Sequence, residues 1–95
     1  MSVVALKRIS TPVTELNTED LNTITRTGVY IQGQNRNVEK AANYPVKAAG
    51  MLEVHTMAGV FTFQRYTAYK DFGVYTRSYY GYEGEWSPWR KILTE

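Results

Sequence analysis

His55 is the chain's one histidine and follows Glu53 by two residues, a spacing that sets both side chains on the same face of a strand. Such a pair could serve as a base and its orienter, or as two metal ligands. The chain has no cysteine to complete a zinc set, and no Ser-His-Asp constellation is evident, so the pair reads first as a surface or cross-strand contact. Glu83 and Glu85 flank Gly84 beside Trp86, the outline of a glycosidase's paired carboxylates. Strand spacing would set them side by side, whereas a glycosidase holds its pair across the sugar at about 5 Å or about 6.5–9.5 Å. They read as solvated turn acids, with a weak cation site as the second reading. Asp71-Phe72-Gly73 spells the magnesium-binding triplet of protein kinases, but a chain of 95 residues without a Gly-rich phosphate loop or catalytic-loop motif gives it no such role, and the triplet is a turn. No catalytic, metal or cofactor site follows from these groups, and the chain is not expected to be an enzyme.

Binding fits the residue types better. Tyr75, Arg77 and Tyr79 alternate with Val74, Thr76, Ser78 and Tyr80, so the first three project from one face of a strand, with Tyr80, Tyr82 and Trp86 near the adjoining turn. Flat aromatic rings beside a guanidinium and carboxylates can stack on sugar rings and hydrogen-bond their hydroxyls, which makes Tyr75, Arg77, Tyr79, Tyr82 and Trp86 a candidate glycan-binding set. The same rings could stack bases. The formal charge is only +2, however, and residues 70–75 match the RNA-binding RNP1 pattern poorly, so no nucleic acid is expected. Two structural readings stand beside the binding one. Tyrosine, with eight copies against three Phe and two Trp, also suits small half-buried sheets. Trp86 and Trp89, around Ser87-Pro88, can equally clamp a final strand in the core.

The elements that would position these residues are strands. In residues 50–57, Leu52, Val54 and Thr56 share one face and Met51, Glu53, His55 and Met57 the other. A short turn at Ala58-Gly59 leads to a strand over residues 60–69, and residues 70–73 turn into the strand at 74–80. Residues 28–32 form an earlier strand. Residues 86–92 return as an edge strand or bend at Ser87-Pro88, because Pro88 has no N–H for a ladder. Residues 18–24 suit one helical turn capped by Asn17 or Thr18, with Leu21 and Ile24 three apart. Residues 33–40 are polar and read as a loop, and Tyr44, ahead of Pro45, reads as extended. Residues 1–16, with Val3, Val4, Leu6 and Ile9 ahead of Pro12, read as an extended arm that docks on another chain; residues 17–95 read as the domain. The fold class is all-β, a small antiparallel sheet or sandwich with one short helical turn. No run reaches the apolar length of a membrane span and no signal-peptide core is evident, so synthesis in a cytoplasm without export, and no membrane partner, are expected.

Three motifs occur in order. The first is Asp20-Leu21-Asn22-Thr23-Ile24-Thr25 with Gly28-Val29-Tyr30, and the second is Asn43-Tyr44-Pro45-Val46 with Ala49-Gly50-Met51-Leu52-Glu53-Val54. The third begins at Val74-Tyr75 and closes on Trp86-Ser87-Pro88-Trp89-Arg90-Lys91-Ile92. Over residues 17–92 the sequence resembles the knob domain of phage tail fibres and of the fibres of phage-tail-like bacteriocins, the pyocin-knob family. The resemblance implies that Leu21 and Ile24 pack under the sheet and that the Trp-Ser-Pro-Trp segment is framework. It also implies a homotrimer, a structural role in a tail fibre, collar or baseplate of a virion, and in some members contact with the host surface. Other virion proteins, reached through the arm, and a host glycan are the partners expected. Family members sit within long fibre proteins, whereas this sequence shows no shaft, so a small free-standing virion protein is expected.

Overall fold

In the computed structural model, which describes residues 12–57 and 59–93, the chain builds one seven-stranded sheet. The strands are β1 (Val13–Glu15), β2 (Gly28–Gln32), β3 (Gly50–Met57), β4 (Phe61–Ala68), β5 (Val74–Tyr80), β6 (Glu85–Trp86) and β7 (Arg90–Ile92). Strands β1 to β6 lie in sequence order, and β7 pairs with β5 beyond the end of β6. All pairings are antiparallel except β1 with β2. The all-β reading holds, as a single sheet rather than a sandwich. The returning segment breaks between β6 and β7 at Ser87, Pro88 and Trp89, where proline cannot donate to β5.

One face of the sheet is covered, and the cover is irregular chain. Leu16, Leu21 and Ala48 from the connections join Leu52, Val54, Tyr66 and Ala68 from β3 and β4 in the buried core, with Ile24, Tyr44, Val46 and Trp89 packed around them. Leu21, Leu52 and Val54 are fully buried, each contributing roughly 1.5–3 kcal/mol from water exclusion. Irregular chain has no ladder to satisfy its carbonyls, and a buried unpaired carbonyl is costly. The sheet supplies the donors from its own inward side chains. Gln64 Nε2 donates to Leu21 O (2.8 Å) and Ile24 O (2.9 Å), Gln32 Nε2 to Asn17 O (2.7 Å), and Tyr66 Oη to Ala48 O (2.5 Å). Trp89 Nε1 adds a bond to Asn43 O at 2.8 Å. This explains why β4 turns Thr62, Gln64, Tyr66 and Ala68 inward and Phe61 and Phe63 outward.

Three local expectations change. Among the described residues, Val13–Glu15 form a strand of the sheet and Leu16 is core, so this end of the stretch read as an arm packs with the domain. The helical turn is a 3-10 turn over Leu21–Thr23 capped by Asp20, whose carboxylate accepts from Asn22 N at 2.8 Å, rather than by Asn17 or Thr18. Asp20 also accepts from Asn43 Nδ2 at 2.6 Å, which ties the first motif to the second. Residues read as loop contain helix α1 (Asn35–Lys40). Its single fully buried side chain, Val38, anchors six otherwise polar residues, too little periodicity to register in the sequence.

Gly50 lies between Gln32 and Ala68 in the register, where the backbones approach closely. A Cβ there would meet the Thr67 carbonyl oxygen, and Ala68 Cα at 2.9 Å, both main-chain atoms that cannot step aside. Gly50→Ala is expected to destabilise the domain by about 2–3 kcal/mol. Urea denaturation would read this as a lower midpoint at unchanged slope.

Candidate functional site

Arg77 sits at the centre of β5 and opposite Gln64 of β4. Only 7 % exposed, it donates from Nε to Gln64 Oε1 at 2.9 Å. Its guanidinium carbon lies 3.9 Å from the Trp86 ring centre and 4.6 Å from that of Trp89. Burial lowers its pKa to about 10, against the opposing pull of the Asp20 charge. Among the described residues its Nη2 has no hydrogen-bond acceptor, so the tryptophan π-faces carry much of the compensation for a buried cation. Arg77 therefore joins three layers: the returning segment through its tryptophans, the sheet, and through Gln64 the 3-10 turn.

This placement corrects the exposed surface expected for Tyr75, Arg77 and Tyr79. They do share one face, but their register partners are Tyr66, Gln64 and Thr62, all buried, so the shared face is the covered one. Tyr75 and Tyr79 are half-buried, and Trp86 packs on Tyr79 with ring centres 5.3 Å apart. Tyr82 alone of the five is well exposed, at 81 %. The arm residues Val3, Val4, Leu6 and Ile9 lie outside the described residues.

The opposite face of the sheet carries the accessible chemistry. Near the β3–β4 turn, Phe63, Phe61, Tyr80 and Tyr82 form a ladder with successive ring-centre separations of 5.9, 4.9 and 5.5 Å. Met57, paired with Phe61, is 61 % exposed and Phe63 46 %. Alternating phenylalanines at 61 and 63 look like core residues in the sequence, and nothing local marks them as outward-facing. Toward the middle of the sheet, Glu53, Arg65, Thr76 and Arg90 form one cross-strand row, and His55, Phe63 and Ser78 form the next. Glu53 and His55 share that open face as their spacing requires, and His55 is exposed. Glu83 and Glu85 are both exposed. Among the described residues no group of three His, Cys, Asp or Glu side chains is placed to hold a metal, and no helix is long and apolar enough to cross a membrane.

Compared by sequence, the chain matches no family model and no curated protein. Solved structures do match. The N-truncated R2-type pyocin tail fibre superposes with TM-score 0.80 at 28 % identity, over 90 % of this chain and 34 % of that one. The C-terminal part of the P. aeruginosa R2 pyocin fibre gives TM-score 0.81 at 28 % identity, over 90 % of this chain and 23 % of that one. The corresponding part of the P. aeruginosa R1 pyocin fibre gives 0.76 at 27 %, over 92 % and 22 %. The chain thus spans about a third or less of the fibre structures that it matches.

Proposed function

We propose that this chain, a domain of the pyocin tail-fibre type, works as a homotrimeric knob in a phage-tail-like particle, at a fibre, collar or baseplate, with roles in assembly and host-surface contact. The observation that carries this reading is the agreement in fold over 90 % of the chain at a TM-score of 0.80. The aromatic ladder supports the trimer. Exposed contiguous apolar surface marks interaction sites, and Phe, Tyr and Met are enriched at them. Three copies related by a three-fold axis would close a ring and cover it.

Light scattering on the purified protein tests the assembly. The native mass should be that of three chains. Met57→Asp combined with Phe63→Asp, both at exposed positions, should give folded single chains. A wild-type monomer sinks the trimer, and a trimer that survives both substitutions moves its contact elsewhere. The apolar residues Val3, Val4, Leu6 and Ile9 are assigned to docking on a partner virion protein. Deleting residues 2–11 should then block incorporation into particles, and normal incorporation would remove that role from the arm.

A second reading, recognition of a host glycan, is favoured by Tyr82, whose ring stands at the end of the ladder and is largely exposed. Tyr82→Ala should lower binding to host cells while leaving the native mass unchanged. Unaltered binding would leave the ladder to assembly alone.

A further inference from the structure

We propose that the open face carries a binding cleft for an anionic saccharide, with its phosphate or carboxylate group held between Arg65 and Arg90. A cavity of about 550 Å³ lies there, within the size range of small-molecule sites. Its floor is the middle of the β4–β5 pair, and the Ser87-Pro88 break in the returning segment forms one side. Arg65 and Arg90 are the register partners of Thr76 on its two sides, so their Cα atoms stand roughly 10 Å apart, two strand spacings. Two exposed guanidiniums at that separation can both reach an oxyanion over the Thr76 hydroxyl, and charge-assisted bonds of this kind are the strong ones.

The charge at this place is unbalanced. Glu53 reaches Arg65 Nε only at 4.0 Å, and among the described residues Arg90 has no acidic partner. His55 lines the same cavity and adds no negative charge. The remaining walls suit a sugar body. Phe63 presents its ring and Pro88 a second apolar surface, while Ser78 and Ser87 also line the cavity, the Ser87 hydroxyl already accepting from Ser78 N at 3.0 Å. An aromatic wall with the Thr76 and Ser78 hydroxyls beside it and a cationic end is the complement of a saccharide that bears one acidic group. This inference does not rest on the fibre assignment or on Tyr82; it shares Phe63 with the edge of the aromatic ladder and otherwise uses the neighbouring part of the open face.

The test is an amide-resolved NMR titration of the full chain with glucose 6-phosphate, glucuronate, glucose and inorganic phosphate. Glucose 6-phosphate or glucuronate should shift the amides of Thr76 and Ser78 saturably, and added salt should weaken the effect. Glucose should produce no such shift. Arg65→Ala and Arg90→Ala should each weaken binding about tenfold or more while leaving the rest of the spectrum in place. Saturable shifts with glucose of equal strength would overturn the charge-based reading. Inorganic phosphate binding as tightly as glucose 6-phosphate would overturn the saccharide, leaving an anion contact only. Absence of any saturable shift at Thr76 and Ser78 with all four probes would overturn the cleft itself.

Discussion

Gln64→Ala should remove about 3–5 kcal/mol of stability, the largest loss expected for any polar substitution in this domain. Gln64 is buried on the inward face of β4, and all its bonds are to other buried or half-buried groups. Its amide nitrogen serves the carbonyls of Leu21 and Ile24, at 2.8 and 2.9 Å, and its oxygen accepts from Arg77 Nε at 2.9 Å. Truncation leaves two carbonyls and one guanidinium nitrogen without partners in a place that water reaches poorly, and each such orphan costs about 1–3 kcal/mol. A domain of this size has roughly 5–14 kcal/mol in all, so the variant should be partly unfolded well below the wild-type melting temperature. Urea denaturation gives the loss, and hydrogen exchange should localise it to faster opening of the Leu21–Thr23 turn. Gln64→Leu separates packing from hydrogen bonding, since it keeps most of the volume and none of the bonds. If Gln64→Leu were as stable as wild type, the amide clamp would contribute nothing and the turn would be held by Leu21 packing alone.

The same clamp marks the limit of what was legible in the sequence. Strand β3 was plain because Leu52 and Val54 face the core in alternation with Glu53 and His55, so burial and hydropathy agree. In β4 they disagree. The face with Phe61 and Phe63 is the more apolar and is the open one, while Thr62 and Gln64 go inward. Hydropathy alternation gives the period correctly there and leaves the direction undetermined. The deciding fact is that the layer beneath the sheet is irregular and demands donors, which no local pattern reports. Arg77 is hard to place from sequence for the same reason: an arginine between two tyrosines resembles a surface recognition strip, yet the register commits that face to Gln64 and Tyr66. The two tryptophans are readable as framework because Pro88 forces a break in the returning strand, which allows Trp86 and Trp89 both to pack their rings against one guanidinium. Helix α1 was hidden by composition, its only anchor being Val38.

Tyr66→Ala should cost about 3–5 kcal/mol and Tyr66→Phe about 1–3, and the difference between them separates ring from hydroxyl. Tyr66 is completely buried, meets Tyr44 edge-on with ring centres 5.3 Å apart, and bonds the Ala48 carbonyl through its hydroxyl. Phenylalanine keeps the ring contact and leaves Ala48 unpaired, whereas alanine also opens a cavity in the core that Tyr66 shares with Leu21 and Leu52. Alkaline titration offers an independent check. Burial raises the Tyr66 pKa above its ordinary 10.0, so the unfolded chain loses this proton first as pH rises. The folded state then holds more protons than the unfolded one, and stability falls as the pH climbs above about 10. Arg77 acts in the opposite sense. Its folded pKa is lowered to about 10, well below the usual guanidinium range, so above about pH 10 the unfolded chain holds the extra proton and stability rises with pH. The wild-type alkaline limb is a balance of the two, together with the smaller upward shift that burial imposes on Tyr44. Tyr66→Phe removes one side of that balance. Its stability, measured by urea denaturation from pH 8 upward, should therefore fall less steeply above about pH 10 than that of the wild type. Parallel limbs would mean that the Tyr66 hydroxyl titrates as it does in the unfolded chain, and that its bond to Ala48 does not hold the phenol in its neutral form.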